Sequence, residues 1–378
     1  PMTGPAIELS SPTAVLPHRV LVIGTGLMGT SVALALIRAG VDVLLEDSSP
    51  AHLRVAVSLG AGRAAGPDDL EAGNGPDLVV VAAPPAVLGG LIASALARFP
   101  DATVTDLGSV KAAALVGAAV EAGPGLDRYV GGHPMAGSEQ SGPLAARADL
   151  FDGRAWAVTP HPGSRPESVA TVEGLAELCG AFAVRMTPAE HDEAVALISH
   201  LPQVASSVVA GMLTTATDGH LVLAGQGLRD VTRIAAGDPV LWSQILSANA
   251  EPVARLLHEA AANLHRIALS LEKSEHGGPT TDDLRGSLER GATGVRRLPG
   301  KHGKRPETFT SVPVLLPDRP GELARLFADV GSAGVNIEDV RIDHSPGTPA
   351  GLVQLAVQAD AVPALLSALA QHGWSVHG

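Results

Sequence analysis

Six residues near the start of the chain have the spacing of a turn that binds a dinucleotide. Gly24–Gly29 reads G-x-G-x-x-G, and the glycines of this pattern allow a tight turn, close approach of a pyrophosphate and close packing of helix on strand. An apolar run precedes the turn and a helical pattern follows it, and Asp47 lies 23 residues beyond Gly24, where a carboxylate binds ribose hydroxyls. No arginine follows Asp47 directly, so the pattern favours NAD over NADP, with Glu46 as the alternative carboxylate. We expect cofactor contacts from Gly24, Gly26, Leu27, Met28, Gly29, Asp47 and Pro85.

A nicotinamide site also needs a substrate and a base, and two further segments offer polar side chains for this role. Asp106–Lys111 (DLGSVK) and Gly131–Glu139 (GGHPMAGSE) each follow a predicted strand, and ligands bind at the carboxyl ends of strands in open α/β sheets. A lone histidine is more often structural than catalytic. His133, however, lies between Gly-Gly and Pro at a strand end rather than on an apolar face, and we therefore predict that it is catalytic.

The elements that must position these residues alternate between strand and helix. The predicted strands are 20–24, 41–45, 78–83, 102–105, 128–131, 155–158 and 182–186, and the predicted helices are 30–39, 86–98, 109–121 and 166–180. This alternation predicts a Rossmann-type α/β domain with a mainly parallel sheet over residues 18–188. In this pattern Ser109 stands where a helix N-cap is expected.

After Pro188 the pattern changes twice. Residues 189–300 lack strand alternation, and helical spacing through most of this range predicts an all-helical domain. Residues 309–378 read as strand, helix, strand, strand, helix, strand, which predicts a ferredoxin-like α+β domain.

Composition excludes several classes of function. The net charge of −13 argues against nucleic-acid binding, which requires lysine and arginine to replace counterions. The single cysteine, Cys179, excludes a disulfide framework within the chain and a cysteine-rich zinc site, and we predict no metal and a reducing, cytoplasmic location. The apolar stretch 78–97 is interrupted by Pro84-Pro85 and Gly89-Gly90, so we predict no membrane partner. The first 17 residues contain prolines and no early basic cluster, so we predict no signal peptide.

Four ordered motifs give the chain a resemblance to a known family. DLGSVK, GGHPMAGSE-x-SG, SHLPQ at 199–203 and RDVTRIAAGDPVLW at 229–242 resemble the prephenate and arogenate dehydrogenases over residues 18–300. The tail resembles an ACT domain through Pro317–Gly321 and Gly334–Ile337. The resemblance implies NAD-dependent oxidative decarboxylation of prephenate. The apolar helical domain suggests a homodimer through helix packing. The position of the tail, with the loop Asp318–Gly321 before a helix, suggests an aromatic amino acid as its effector.

The resemblance also implies roles for individual residues. His133 is expected to be the base that accepts the substrate hydroxyl proton, and Ser109 is expected to orient it. Arg233 matches the family's carboxylate-binding arginine, and Arg229 lies one helical turn before it. The further substrate contacts implied are Ser199, Gln203, Ser138 and Glu139.

Several alternatives remain open at this level. Many relatives carry histidine where this chain has Gln203, whose carbonyl oxygen suits an ammonium group, so arogenate or both substrates are alternatives to prephenate. A second alternative is a two-domain dehydrogenase of the 3-hydroxyisobutyrate type. Such enzymes share the glycine turn but lack the HPMAG segment. A non-catalytic sensor of NAD and an amino acid would not need His133 and Arg233 together.

Overall fold

A computed structural model describes residues 16–70, 75–137, 140–275, 282–298, 309–344 and 350–376 of the chain. These residues divide into two compact units. The first unit comprises residues up to 214 together with 232–259, and the second comprises 215–231 together with the chain from 260 onward.

The first unit begins with a five-stranded parallel sheet of order β3-β2-β1-β4-β5. Its strands are short apolar runs, buried in the centre of the sheet, and each central strand leads into a helix that covers one face. The elements in chain order are β1 (Arg19–Ile23), α1 (Leu27–Arg38), β2 (Asp42–Glu46), α2 (Pro50–Ser58), β3 (Arg63–Ala64), β4 (Leu78–Val81), α3 (Pro85–Arg98) and β5 (Thr103–Asp106).

Three further strands form a separate sheet of order β6-β7-β8. The elements are α4 (Ala112–Ala122), β6 (Gly131–Pro134), β7 (Ala155–Thr159), α5 (Pro166–Leu178) and β8 (Phe182–Arg185). The predicted parallel sheet is confirmed, but β6 runs antiparallel to β7. A single parallel bridge joins Val104 of β5 to Tyr129, which precedes β6. The strand predicted at 128–131 begins three residues later, so His133 lies within a strand rather than after one.

After β8 the chain is helical as far as Val295 in the residues that the structure describes. The helices are α6 (Pro188–Val195), α7 (Leu201–Met212), α8 (Asp218–Leu221), α9 (Gln226–Thr232), α10 (Pro239–Ala248), α11 (Ala250–Glu275) and α12 (Asp282–Val295). A five-residue π-helix, Ala196–His200, joins α6 to α7. The resulting helical stretch Pro188–Thr215 is long and apolar enough to cross a membrane by length and composition, which is weak evidence on its own.

The second unit contains a four-stranded antiparallel sheet of order β10-β11-β9-β12. Its elements are β9 (Phe309–Pro317), α13 (Glu322–Ser332), β10 (Asp339–His344), β11 (Ala350–Gln358), α14 (Val362–Gln371) and β12 (Ser375–Val376). Valine and leucine side chains from the strands pack with Leu326, Val330, Leu365 and Leu369 of the two helices into one core.

Candidate active site

The glycine turn between β1 and α1 has the geometry of a phosphate cradle. Gly24 has φ +99°, and a Cβ atom there would collide with the carbonyl oxygen of Ala82. A Cβ atom on Gly29 would collide with the carbonyl oxygen of Gly24, whereas Gly26 faces open space. No side chain caps the first turn of α1, so its amide groups point outward as anion donors. These residues fit the pyrophosphate of a dinucleotide.

Asp47 follows β2, beside the glycine turn. One carboxylate oxygen accepts hydrogen bonds from the backbone N–H and the hydroxyl of Thr25, at 2.5 and 2.7 Å. The other accepts the backbone N–H of Ser49 at 2.6 Å. Although partial burial raises the pKa of Asp47, these hydrogen bonds outweigh it and hold the pKa below its usual value, so the group is ionised. The alternative carboxylate, Glu46, forms an ion pair with Arg98, which favours Asp47 for the ribose.

Pro85 begins α3 after β4. It lines a cavity of about 310 Å³ together with Ser243, Gln244 and Ser247 of α10.

His133 is held in β6 by two glycines that no larger residue could replace. A Cβ atom on Gly132 would lie 2.8 Å from the carbonyl oxygen of Asp106 and 3.0 Å from the side chains of Thr105 and Trp156. The strand therefore runs close against the end of β5, which fixes the backbone that carries the imidazole. His133 pairs with Ala157 of β7.

A buried polar cluster supports this strand from behind. Lys111 is 1% exposed; its ammonium group forms an ion pair with Asp106 and donates to the carbonyl oxygen of Gly132 at 2.7 Å. The Tyr129 hydroxyl donates to the other oxygen of Asp106 at 2.9 Å. Burial lowers the pKa of Lys111, against the opposing effect of Asp106, and raises the pKa of Tyr129 well above its usual value. DLGSVK is thus in part the scaffold of the histidine strand.

Three side chains form a hydrogen-bonded chain that ends at the imidazole of His133. Asp192 accepts a hydrogen bond from Nδ1 of His191 at 2.8 Å, and Nε2 of His191 lies 2.8 Å from Nδ1 of His133. A carboxylate accepts only, so a neutral His191 carries its proton on Nδ1 and accepts at Nε2. Nδ1 of His133 must then donate. The remaining nitrogen, Nε2 of His133, keeps its lone pair as a proton acceptor.

Both imidazoles are held neutral by their surroundings. Burial lowers the pKa of His133 well below its usual value, and His191, Lys111 and His200 lower it further. Burial also lowers the pKa of His191, although its hydrogen bond to Asp192 opposes this. A neutral base of this kind is ready to accept a proton at neutral pH.

His133 opens onto a cavity of about 730 Å³ in the first unit. Of the residues predicted from sequence, the cavity brings together His133 and Ser199, the latter on the π-helix. Such helical bulges occur frequently at functional sites. The other lining residues are Pro134, Met135, Ala136, Gly137, Gln140, Ala145, Arg147, Leu150, Arg154, Val195 and Ile198.

Other predicted residues lie elsewhere. Gln203 is buried within α7, and Arg233 begins an exposed 3₁₀ helix, Arg233–Ala236. Arg229 belongs to α9, which ends at Thr232. Ser138 and Glu139 lie outside the described residues.

Ser109 occupies the turn between β5 and α4. The prediction that it caps the following helix is wrong, because α4 begins at Ala112 and Asp192 accepts from the amides of Lys111 and Ala112 at 2.8 and 2.9 Å. Within the part of the chain that the structure describes, Ser109 forms no hydrogen bond with His133, whose partner is His191.

Sequence reasoning missed four residues of this site. His191 and Asp192 are adjacent polar residues in a helix whose start is marked by a capping box of Thr187 and Glu190. A helix places such neighbours on different sides, and here both are buried. Arg147 and Arg154 lie in a stretch without recognisable pattern, and only folding brings them to the cavity.

Comparison with known proteins places this site in a family. The model described as prephenate dehydrogenase, nucleotide-binding domain, matches residues 32–185, and the model described as prephenate dehydrogenase, dimerization domain, matches residues 187–284. A protein named probable prephenate dehydrogenase from Streptomyces niveus is 38% identical, covering 94% of this chain and 98% of the relative.

Two solved structures are also similar. Prephenate dehydrogenase from Aquifex aeolicus in complex with hydroxyphenyl propionate and NAD+ has a TM-score of 0.65 and 27% identity, covering 74% of this chain and 97% of the other. Arogenate dehydrogenase from Synechocystis has a TM-score of 0.59 and 25% identity, covering 73% and 98%.

Proposed function

The chain belongs to the prephenate dehydrogenase family, and we propose that it converts prephenate and NAD to 4-hydroxyphenylpyruvate, carbon dioxide and NADH. It is an NAD-dependent oxidoreductase. The observation that carries the proposal is the hydrogen-bonded chain Asp192–His191–His133. It presents an imidazole acceptor to a cavity lined largely by residues of the predicted dinucleotide-binding domain.

The reaction needs one base and one acceptor of two electrons. NAD bound at the glycine turn supplies that acceptor for the hydrogen on C4 of the substrate ring. Nε2 of His133 removes the proton of the C4 hydroxyl, which becomes a carbonyl as the C4–H bond breaks. The bond from C1 to its carboxylate then breaks and carbon dioxide leaves. The electron pair of that bond moves through the ring to the C4 oxygen, which takes back the proton held by His133 and becomes the phenol hydroxyl of the product. The ring gains aromaticity, which makes the reaction effectively irreversible.

His191 and Asp192 keep His133 in the tautomer whose Nε2 can accept a proton. His191 accepts from Nδ1 of His133, which fixes the tautomer, and Asp192 stabilises the positive charge that develops as His133 takes the proton. The arrangement follows the logic by which a buried carboxylate orients a catalytic histidine in other enzymes. Asp192 acts through His191 and is therefore a positioning residue.

The substrate contacts remain proposals that rest on the family resemblance. Arg233 supplies a guanidinium for one carboxylate, with Arg229 as a supporting charge. Ser109 and Ser199 hydrogen-bond the substrate, with Gln203, Ser138 and Glu139 completing the set. Asp47, with Leu27, Met28, Pro85 and the turn glycines, holds NAD. The variant Arg233→Ala distinguishes substrate binding from cofactor binding by Arg233, because it should change the KM for prephenate and not the Kd for NAD.

Arogenate is the second candidate substrate. The feature in its favour is Gln203, at a position where the family resemblance implies histidine in many relatives. Its side chain has a neutral carbonyl oxygen that suits an ammonium group. Steady-state assays of prephenate and arogenate side by side, each with NAD and NADP, decide between the two substrates and test the cofactor preference together.

We further propose a homodimer formed by the helical domain, residues 189–300, beside a nucleotide domain of residues 18–188. Support comes from the matching dimerization-domain model and from exposed apolar side chains along α7, among them Val208 at 59% and Met212 at 72% exposure. Sedimentation equilibrium of the wild type and of Val208→Lys tests this, and a monomeric wild type would contradict it.

For residues 309–378 we propose a ferredoxin-like, ACT-type domain that binds an aromatic amino acid, with tyrosine first. The strand order, with the first and third strands central, is the order of that fold, and the turn 318–321 leads into α13. Tyrosine is expected to change the kinetics of the full chain. No binding and no kinetic response to tyrosine, phenylalanine or tryptophan would leave this domain without a sensing role.

The experiment that tests the main proposal measures NADH formation by absorbance with prephenate and NAD. We expect turnover with wild type and a large loss of kcat with His133→Asn. A non-catalytic sensor would instead show thermal stabilisation by both ligands and no NADH.

A further inference from the structure

Two arginines line the cavity beside His133, and they differ in their partners. The guanidinium of Arg147 lies 3.1 Å from a carboxylate oxygen of Asp149, in an exposed ion pair. The guanidinium of Arg154 has no hydrogen bond or ion pair among the described residues, although its side chain lines the same cavity. Arg154 therefore brings to the cavity a positive charge that no ion pair balances among the described residues.

The backbone of Arg154 is fixed to the strands that carry His133. Its N–H donates to the carbonyl oxygen of Phe151 at 2.9 Å, and its own carbonyl oxygen accepts from Phe182 at 3.0 Å. The next residue, Ala155, begins β7 and accepts from the N–H of Met135 at 2.8 Å. The backbone of Arg154 is thus held in place relative to the strand that carries His133, while its guanidinium remains available to bind an anion.

We propose that Arg154 binds the side-chain carboxylate of the substrate and so determines specificity for an anionic pyruvyl or alanyl group. This inference rests on the proposed function, because it is the family substrate that carries two carboxylates. A chain of net charge −13 needs local positive potential to attract a dianion, and a guanidinium pairs with a carboxylate through two parallel hydrogen bonds.

The choice between the two carboxylates follows from the reaction. Arg233 is already proposed for one carboxylate. Because the ring carboxylate leaves as neutral carbon dioxide, a second ion pair with it would oppose the loss of its charge. The side-chain carboxylate keeps its charge from substrate through transition state to product. A contact to that group stabilises all three states alike, and such uniform binding lowers KM without changing kcat.

The test uses 4-hydroxyphenylpropionate, which carries the phenol and the side-chain carboxylate but no ring carboxylate. Calorimetric titration of the full chain with NAD present gives its Kd, and steady-state kinetics give the KM for prephenate. Arg154→Gln is expected to raise both by about tenfold, at the lower end of the range for a hydrogen bond to a charged group, with kcat within about twofold. Arg154→Lys, which keeps the charge but not the planar fork, is expected to fall between.

Arg165→Gln is the matched control, because it removes an arginine of the same unit that lines neither cavity and whose guanidinium lies 2.8 Å from a carboxylate oxygen of Asp127. It is expected to change the Kd by less than about twofold. An equal effect of Arg165→Gln would overturn the proposal in favour of a general charge effect. An unchanged Kd for 4-hydroxyphenylpropionate in Arg154→Gln, or a loss confined to NAD affinity, would also overturn it. Failure of the proposed function is distinguishable, since wild type would then bind the probe without oxidising prephenate.

Discussion

Replacing Asp192 by Asn tests whether the hydrogen-bonded chain behind His133 matters for the chemistry. The carboxylate accepts three hydrogen bonds, from Nδ1 of His191 and from the amides of Lys111 and Ala112. An asparagine has one oxygen and presents N–H donors on its other side, so one donor loses its acceptor and faces another donor. The variant also lacks the negative charge that stabilises a protonated histidine pair.

The size of the effect follows from the contact that is lost. A hydrogen bond to a charged group contributes about 1.5–3 kcal/mol, so kcat of Asp192→Asn should fall by about 10- to 150-fold. The KM for prephenate should change little, because Asp192 is not on the cavity wall. Loss of the ionised cap of α4 should also lower the free energy of unfolding by about 1 kcal/mol, measured by urea denaturation.

A second variant separates the two consequences. Thr187→Ala removes the capping box at the start of α6, where the Thr187 hydroxyl accepts from Glu190 at 3.2 Å, and should cost about 1 kcal/mol of stability as well. It leaves Asp192, His191 and His133 in place, so kcat should stay within about twofold. If Asp192→Asn also keeps kcat within twofold while losing stability, Asp192 is only a helix cap and the reasoning about the tautomer is wrong.

Four further predictions follow from the site. His133→Asn should lower kcat by about two to four orders of magnitude, the range for loss of a general base, and near-normal turnover would remove His133 from that role. The free energy of unfolding should be fully maintained above pH 6.5 and fall as the pH drops toward 4. Burial lowers the pKa values of His133, His191 and His200, the last to about 4, so in this range the unfolded chain binds protons that the folded chain does not. Urea titrations that show no such slope would mean that these histidines are not buried in the neutral form. Arg233→Ala should raise the KM for prephenate by more than tenfold with an unchanged Kd for NAD, whereas an equal loss of NAD affinity would assign Arg233 to the cofactor. Asp47→Ala should weaken NAD and reduce its advantage over NADP in kcat/KM, and an unaltered preference would point to another residue.

The parallel sheet and the glycine turn could be predicted because their causes are local. A buried strand, a turn that requires glycine and an apolar helix follow each other within twenty residues, as Val20–Ala39 does. His133 is singled out by its place between Gly-Gly and Pro, and the structure puts it within β6, where it lines a cavity. Its catalytic role stays a prediction.

The support of His133 could not be predicted in the same way, because it depends on contacts distant in sequence. His191 is 58 residues from His133, and Asp192 is 80 residues from the α4 amide that it caps. Ser109 illustrates the converse. Its local sequence suits an N-cap, but α4 starts three residues later, where the distant carboxylate of Asp192 replaces a local cap.

Product stoichiometry shows whether His133 accepts the substrate hydroxyl proton while NAD is reduced. Purified chain with prephenate and NAD should yield NADH, carbon dioxide and 4-hydroxyphenylpyruvate in equal amounts, and His133→Asn should suppress all three together while still binding 4-hydroxyphenylpropionate. Wild-type protein that binds prephenate and NAD but forms no NADH with either prephenate or arogenate would contradict the account.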